Sequence, residues 1–208
     1  MDGGDPRQVT RATYDTIPRA FLANTRDRSR GAADLDAFAA ALPVGGLALD
    51  LGCGPGCDAA ELRSRGLRVV DMDLSLAMLR AGAAEFPGPR VQGDLVTLPF
   101  GAGCADGVWA NACLLHLSPG ELGAALREIA RVCRPGARAH VSVKIGSGAS
   151  FESERYGRAR WFQYWSPAAF DRALLAAGWS IRSGRETRSK RDAWIVRLAS
   201  PNGERGAG

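Results

Sequence analysis

Leu47-Ala48-Leu49-Asp50-Leu51-Gly52-Cys53-Gly54-Pro55-Gly56-Cys57-Asp58-Ala59-Ala60-Glu61-Leu62 reads as strand, turn and helix. Leu47, Leu49 and Leu51 form a short apolar run of the kind buried on both faces of a sheet, and three glycines at alternate positions end it. Lacking a Cβ, Gly52, Gly54 and Gly56 can take positive φ and let a ligand approach bare backbone. The helix that follows directs its free N–H groups into the same space, and such a helix start attracts a carboxylate or a phosphate. A tight turn without a ligand has the same composition, so the spacing must discriminate. It is G-x-G-x-G: Cys57 stands where a dinucleotide fingerprint would place its third glycine, which counts against nicotinamide or flavin binding.

Moving outward, Arg68-Val69-Val70-Asp71-Met72-Asp73 reads as a second strand closed by two acids. An acid about 20 residues beyond such a turn commonly holds the ribose hydroxyls of a nucleotide. Asp73 can equally cap the helix that begins near Ser75. A third strand ends in Val91-Gln92-Gly93-Asp94-Leu95. Parallel strands bring their carboxyl ends to one edge, so Asp50, Asp73 and Asp94 would line a single crevice. Asp106 to Ala112 forms a fourth strand, and Cys113-Leu114-Leu115-His116-Leu117 leads from it towards that crevice. His116 there is a candidate base, since neutral imidazole accepts a proton near neutral pH; the alternative is a histidine hydrogen-bonded beside the next helix start.

Ser118-Pro119-Gly120-Glu121 is a capping box with proline at the first helical position, and Arg134-Pro135-Gly136 stops the helix it opens. A fifth strand over 138–145 carries Lys144 and runs into Gly146-Ser147-Gly148-Ala149-Ser150. The arginine-rich and aromatic segment 155–165 can roof a site. Its Arg160, Trp161 and Tyr164, with Lys144, are candidate substrate contacts: the basic pair for an acidic group, the rings for a planar one, against the plainer reading of surface or core positions. Ser166-Pro167 opens another helix, closed by Gly178, and 179–188 with 192–199 read as a final antiparallel pair. Residues 6–41 are helical in spacing, divided into two helices by Arg26-Asp27-Arg28-Ser29-Arg30-Gly31. We expect a helical lid over 1–45, a core over 46–200 and a flexible tail over 201–208.

The chain has 208 residues, 46% hydrophobic and 24% charged, which suits one domain with an elaboration. No apolar run approaches the roughly 20 residues that span a bilayer. The polar, acidic start points away from a secretory signal and towards the cytoplasm. Five cysteines without a C-x-x-C pair, and two histidines, indicate neither a disulfide framework nor a zinc site. The net charge of +5 raises the question of nucleic acid, but the excess is local, at Arg182, Arg185, Arg188, Lys190 and Arg191, where charges can simply keep a strand edge from pairing.

Taken whole, Leu49-Asp50-Leu51-Gly52-Cys53-Gly54-Pro55-Gly56 resembles the first motif of the class I S-adenosylmethionine-dependent methyltransferases, and the resemblance runs from about residue 47 to the last strand. It implies an α/β, Rossmann-like, seven-stranded and mostly parallel sheet with flanking helices and an antiparallel last strand pair. It further implies S-adenosylmethionine across Asp50, Gly52, Cys53, Gly54 and Gly56, with S-adenosylhomocysteine as product. The family pattern puts the ribose acid directly before Leu-Ser, as in Asp73-Leu74-Ser75, with Asp71 in reserve. It puts the adenine contacts at Asp94 and Leu95, and adds Asn111 after the fourth strand. Tyr14 stands where relatives often carry a tyrosine that closes over the cofactor; a core tyrosine is the alternative. The Asn-Pro-Pro-Tyr and Pro-Cys motifs of nucleic-acid enzymes are missing, and so is the His, Asp and Asn cluster of the magnesium-dependent catechol type. The expected acceptor is therefore a small molecule, in a GC-rich bacterium a secondary metabolite, methylated on O, N or C by a monomer or homodimer without metal, nucleic acid or membrane. A cyclisation or rearrangement on the same fold, a non-catalytic partner protein and, least favoured, a nucleotide-sugar or NAD enzyme remain as alternatives.

Overall fold

Alternation along the central strands decides the layering. In the computed structural model, which describes residues 5–188 and 192–202, β1 (Leu47–Leu51) and β4 (Ala105–Ala110) lie side by side and parallel. Ala48 and Trp109 face one side of the sheet, where α3 (Ala32–Ala40) and α4 (Cys57–Ser64) supply Leu35, Phe38 and Leu62. Leu49, Leu51 and Val108 face the other, where α6 (Pro119–Val132) supplies Leu122, Leu126 and Ile129 and α7 (Pro167–Ala176) supplies Phe170 and Leu174. Each fully buried side chain of this size contributes about 1.5–3 kcal/mol, so both layers are held mainly by these helices' apolar faces.

The remaining strands are β2 (Arg68–Asp73), β3 (Arg90–Gln92), β5 (Cys133–Lys144), β8 (Trp179–Arg188) and β9 (Ala193–Pro201), in the order β3-β2-β1-β4-β5-β9-β8. Pairing is parallel as far as β5 and antiparallel through β9 and β8, the seven-stranded arrangement that the resemblance implies. The chain runs β1 to β3 in one direction and returns to place β4 beside β1, so a crevice opens at their carboxyl ends. The capping box on α6 is formed in full: Ser118 Oγ accepts from the Glu121 N–H, and the Glu121 carboxylate accepts from the Ser118 N–H. Trp179, wholly buried, donates its indole N–H to the Leu126 carbonyl at 3.1 Å and ties β8 to α6.

Two regions differ from the sequence reading. The amino-terminal helical stretch holds three helices, because Pro18 cannot continue α1 (Pro6–Thr16) and starts α2 (Pro18–Thr25) after Ile17. α1 and α2 lie against α5 (Leu76–Ala81), whereas α3 packs on the sheet, its Phe38 edge-on to Trp109 at 5.3 Å. The segment after β5 is a hairpin: β6 (Ala149–Glu152) pairs antiparallel with β7 (Arg160–Gln163) as a separate two-stranded sheet. Its glycines had masked the strand pattern. Of the arginine-rich late stretch, Arg185 pairs with Asp34 at 2.6 Å and Arg182 bonds Ser200, while Lys190 and Arg191 lie outside the described residues, as does most of the expected tail. Among the described residues no helix is long and apolar enough to cross a membrane.

Candidate functional site

The glycine turn is built as backbone against backbone. The Gly52 and Cys53 N–H groups donate to the Met72 carbonyl at 2.7 and 3.0 Å, pinning the turn to β2. Gly52 has φ +67°, and a Cβ on it would lie 2.3 Å from the Cys113 Cβ; Gly56 has φ +94° and no room beside the Asp71 carboxylate. The Gly54 N–H donates to Asp73 Oδ2 at 2.8 Å, and Asp73 Oδ1 accepts from the Ser75 N–H at 2.8 Å. The Asp73 carboxylate thus faces the turn while bracing the start of α5, as the capping reading expects. Asp71, the reserve, is fully buried between Arg63 and Arg90, and Arg90 also donates to the Pro55 carbonyl at 3.2 Å. It stands under the turn.

Asp50 is 2% exposed and its Oδ2 has no partner. Burial, reinforced by the nearby charges of Asp58 and Asp71, raises its pKa well above the usual carboxylate range. The missed residue is Asp58, at the second position of α4. It accepts from Arg28 Nη2 at 2.7 Å, from the Trp109 indole at 2.9 Å and from the Asn111 amide at 3.0 Å. An acid facing the core beside an apolar run was the available signal. Asn111 is held from both sides, since Ser142 Oγ donates to its Oδ1 at 2.7 Å, and its amide is committed to Asp58. Ser142 in turn accepts the Ala112 N–H at 2.8 Å, and Ala112 sits at φ +57°, an uncommon conformation for a residue with a Cβ. The crevice beside Asn111 and Ala112 is therefore backbone held by a buried network. Cys53 and Cys113 are thiols whose pKa values are raised by burial, so neither is a ready nucleophile.

At the third strand, Asp94 Oδ1 accepts from the Val96 N–H at 3.0 Å and Oδ2 takes Arg7 from α1, which also reaches Glu121 at 3.2 Å. Leu74 offers its carbonyl to Gln92, and half-buried Leu95 packs on the core. α1 and α2 lie across this crevice: Asp15 accepts from Ser75 Oγ at 2.5 Å, and Phe21 covers Gly54, where a Cβ would be 3.3 Å from the ring. Two open hollows, of about 240 and 390 Å³, lie elsewhere, against α3 with β8 and β9 and beside β2.

Above the crevice, α1, the turn after β4 and β7 converge. His116 Nδ1 lies 2.6 Å from the Trp161 carbonyl, which can only accept, so Nδ1 carries the proton and Nε2 accepts from the Tyr14 hydroxyl at 2.8 Å. Burial lowers the His116 pKa to about 4 and raises that of Tyr14, so both are neutral across the physiological range. Two hydroxyls dock α1 onto β7: Thr13 donates to the Ala159 carbonyl at 2.6 Å and Thr10 accepts the Trp161 N–H at 2.9 Å. Arg160 donates to the Tyr14 hydroxyl at 3.3 Å. Lys144 and Tyr164 belong to a neighbouring cluster, with Lys144 bound to Glu152 at 3.0 Å and Asp192 at 2.9 Å and Tyr164 donating to Glu152. Tyr14, His116 and Arg160 thus come together by their side chains and Trp161 joins them through its backbone alone, while Lys144 lies behind the Phe162 ring, 4.3 Å from its centroid.

Residues 49–141 match the family model described as a methyltransferase domain. Over 140 residues the chain is 38% identical to a demethylmenaquinone methyltransferase of Mycobacterium tuberculosis, covering 64% of this chain and 57% of that relative's length. Among solved structures it is similar to the 1,6-didemethyltoxoflavin-N1-methyltransferase of Burkholderia thailandensis, crystallised with 1,6-didemethyltoxoflavin and S-adenosylhomocysteine, with a TM-score of 0.78 and 21% identity over 97% of this chain and 92% of that one. It is also similar to the [4+2]-cyclase SpnF, with a TM-score of 0.72 and 19% identity over 97% and 98%.

Proposed function

We propose that this chain, whose residues 49–141 form a methyltransferase domain on the class I methyltransferase fold, binds S-adenosylmethionine and transfers its methyl group to a small-molecule acceptor. The observation that carries the reading is the row of acids beside bare backbone: Asp50 Oδ2 buried without a partner, Gly54 lacking a side chain, and Asp73 facing the turn. These fit the cofactor. An ammonium would give Asp50 a counter-ion and restore its charge, Asp73 suits a ribose diol, and Asp94 suits an adenine amino group once Arg7 gives way.

When bound, the cofactor supplies a methyl group already activated by its sulfonium, so the chain has to position the acceptor, exclude water and dispose of a proton. Phe21 and Tyr14 close the crevice from α2 and α1. An acceptor proton can pass to His116 Nε2, the unprotonated nitrogen of a neutral imidazole, through the Tyr14 hydroxyl that donates to it, the hydroxyl giving up its own proton as it takes the acceptor's. Opening of α1 and α2 would admit the ligands. A bacterial secondary metabolite is the acceptor class we favour, with O, N or C as the atom methylated.

A second reading, in which the bound nucleotide only supports a cyclising substrate, draws on the likeness to the [4+2]-cyclase. Calorimetric titration with S-adenosylmethionine, S-adenosylhomocysteine and NAD tests the cofactor: the first two should bind and the third should not, and failure of both would overturn the reading. Mass spectrometry on a converted substrate then separates the two chemistries, since methyl transfer adds about fourteen mass units and releases S-adenosylhomocysteine.

A further inference from the structure

Arg160 opens β7 and is 7% exposed. Its cross-strand partner in the hairpin is Glu152, yet that carboxylate turns to Lys144 and Tyr164. Among the described residues no carboxylate lies within ion-pair distance of Arg160, and its Nε has no hydrogen-bond partner. The guanidinium instead lies among aromatic rings, 4.9 Å from the centroid of Tyr156, 5.0 Å from Phe162 and 5.7 Å from Tyr14. The Tyr156 hydroxyl is also buried without a partner. Ring faces attract a cation, but less than a counter-ion does, and a buried unpaired charge is among the least favourable groups a fold can keep. The Arg160 Nε and the Tyr156 hydroxyl are thus both buried without a hydrogen-bond partner, and Arg160 reaches the Tyr14–His116 pair through Nη1, which donates to the Tyr14 hydroxyl.

We infer that the acceptor taken by this site carries an anionic oxygen on a planar conjugated ring, and that Arg160 binds that oxygen. The inference rests on the methyltransferase reading of the crevice. The anion completes the arginine, whose flat fork matches a carboxylate or an enolate-type oxygen, and the Tyr14, Tyr156 and Phe162 rings around the guanidinium favour an aromatic acceptor drawn in against it. Tyr156 supplies a second donor. Where the anionic oxygen is itself the methyl acceptor, the acid arrives without its proton and needs no base. Where it is a neighbouring carboxylate, Arg160 fixes the ring's orientation and His116 remains the proton acceptor.

Calorimetry on the full chain with and without S-adenosylhomocysteine tests this, with benzoate, 4-nitrophenolate and neutral benzamide as probes against wild type, Arg160→Met and Arg160→Lys. At least one anion should bind at least tenfold more tightly than benzamide, and which anion does so identifies the oxygen. Arg160→Met should lose that preference at least tenfold and Arg160→Lys should keep part of it, with S-adenosylhomocysteine affinity unchanged in both. Because Met removes a buried unpaired charge, its Tm should hold or rise by up to about 4 °C, whereas a merely structural arginine would lower it on removal. Equal binding of benzamide and anions, no anion binding to wild type, an unchanged Arg160→Met preference or a fall in its Tm would each overturn the inference. Arg160-dependent anion binding in a protein that ignores S-adenosylhomocysteine would sink the cofactor reading and leave this one standing.

Discussion

The floor and the roof of the crevice are made in opposite ways. The floor comes from the glycine turn and the ends of adjacent strands, with short steps in sequence: Gly54 to Asp73, Asp73 to Ser75, Gly52 to Met72. Most of its contacts use main chain. The roof joins Tyr14, His116 and Arg160, whose mutual bonds span 102 and 146 residues and run through side chains. A floor of backbone can hold what every member of a fold binds, while a roof of side chains can change with the acceptor. Both keep buried polar atoms without a hydrogen-bond partner, but of opposite character: carboxylate oxygens of Asp50 and Asp71 in the floor, the Arg160 Nε and the Tyr156 hydroxyl in the roof.

If that contrast is right, Gly52→Ala should be the most damaging change. It forces a methyl to 2.3 Å from the Cys113 Cβ at positive φ, and denaturant unfolding should register a loss of about 3 kcal/mol or more. Asp58→Ala should follow at about 3 kcal/mol, because Arg28, Trp109 and Asn111 all lose their acceptor; a loss below about 1 kcal/mol would mean that the network under the floor is ornamental. Asp73→Asn keeps the size and one acceptor oxygen but not the charge, and should weaken S-adenosylmethionine about 10- to 100-fold by calorimetry. Unaltered affinity would remove Asp73 from the site.

On the roof, protonation is the probe. Burial holds both His116 and His140 near a pKa of about 4, below the roughly 6.5 of an unfolded histidine. The unfolded chain therefore binds more protons between those values, and stability should fall as pH drops from about 6.5 towards 4, with a slope approaching one proton per histidine. His116→Gln should remove its share of that slope. Turnover, if His116 is the base, should show no break near 6.5 on the acid side. The smallest effect belongs to Ala112→Gly, which relieves the left-handed backbone and should change stability by no more than about 1 kcal/mol in the favourable direction.

The floor was legible in the sequence for the reason that makes it robust. Glycine spacing and strand-end acids are local patterns, and parallel topology alone brings Asp50, Asp73 and Asp94 to one edge. Sequence reasoning could not tell that Asp71 is spent on Arg63 and Arg90, or that Asp94 is engaged by Arg7, because ion pairs are chosen by the packing of distant elements. The helix starting at Ser118 was readable from its box, and the break at Pro18 should have been, since proline cannot continue a helix. The β6–β7 hairpin was hidden by its glycines. Arg160 was visible as a residue type, but its isolation from Glu152 is a matter of side-chain direction, which no spacing encodes.

The order β5-β9-β8 also sets a timetable. The strand that fills the gap between β5 and β8 is the last of the three to leave a ribosome, so until residues 193–201 are made β5 has one open edge and β8 has no neighbour. A nascent chain can assemble β1 to β5, and with them the whole floor of the crevice, while that edge waits bare. Such an edge invites pairing with other chains, and a truncated or stalled product should therefore be captured by chaperones or aggregate long before it loses the floor of the crevice.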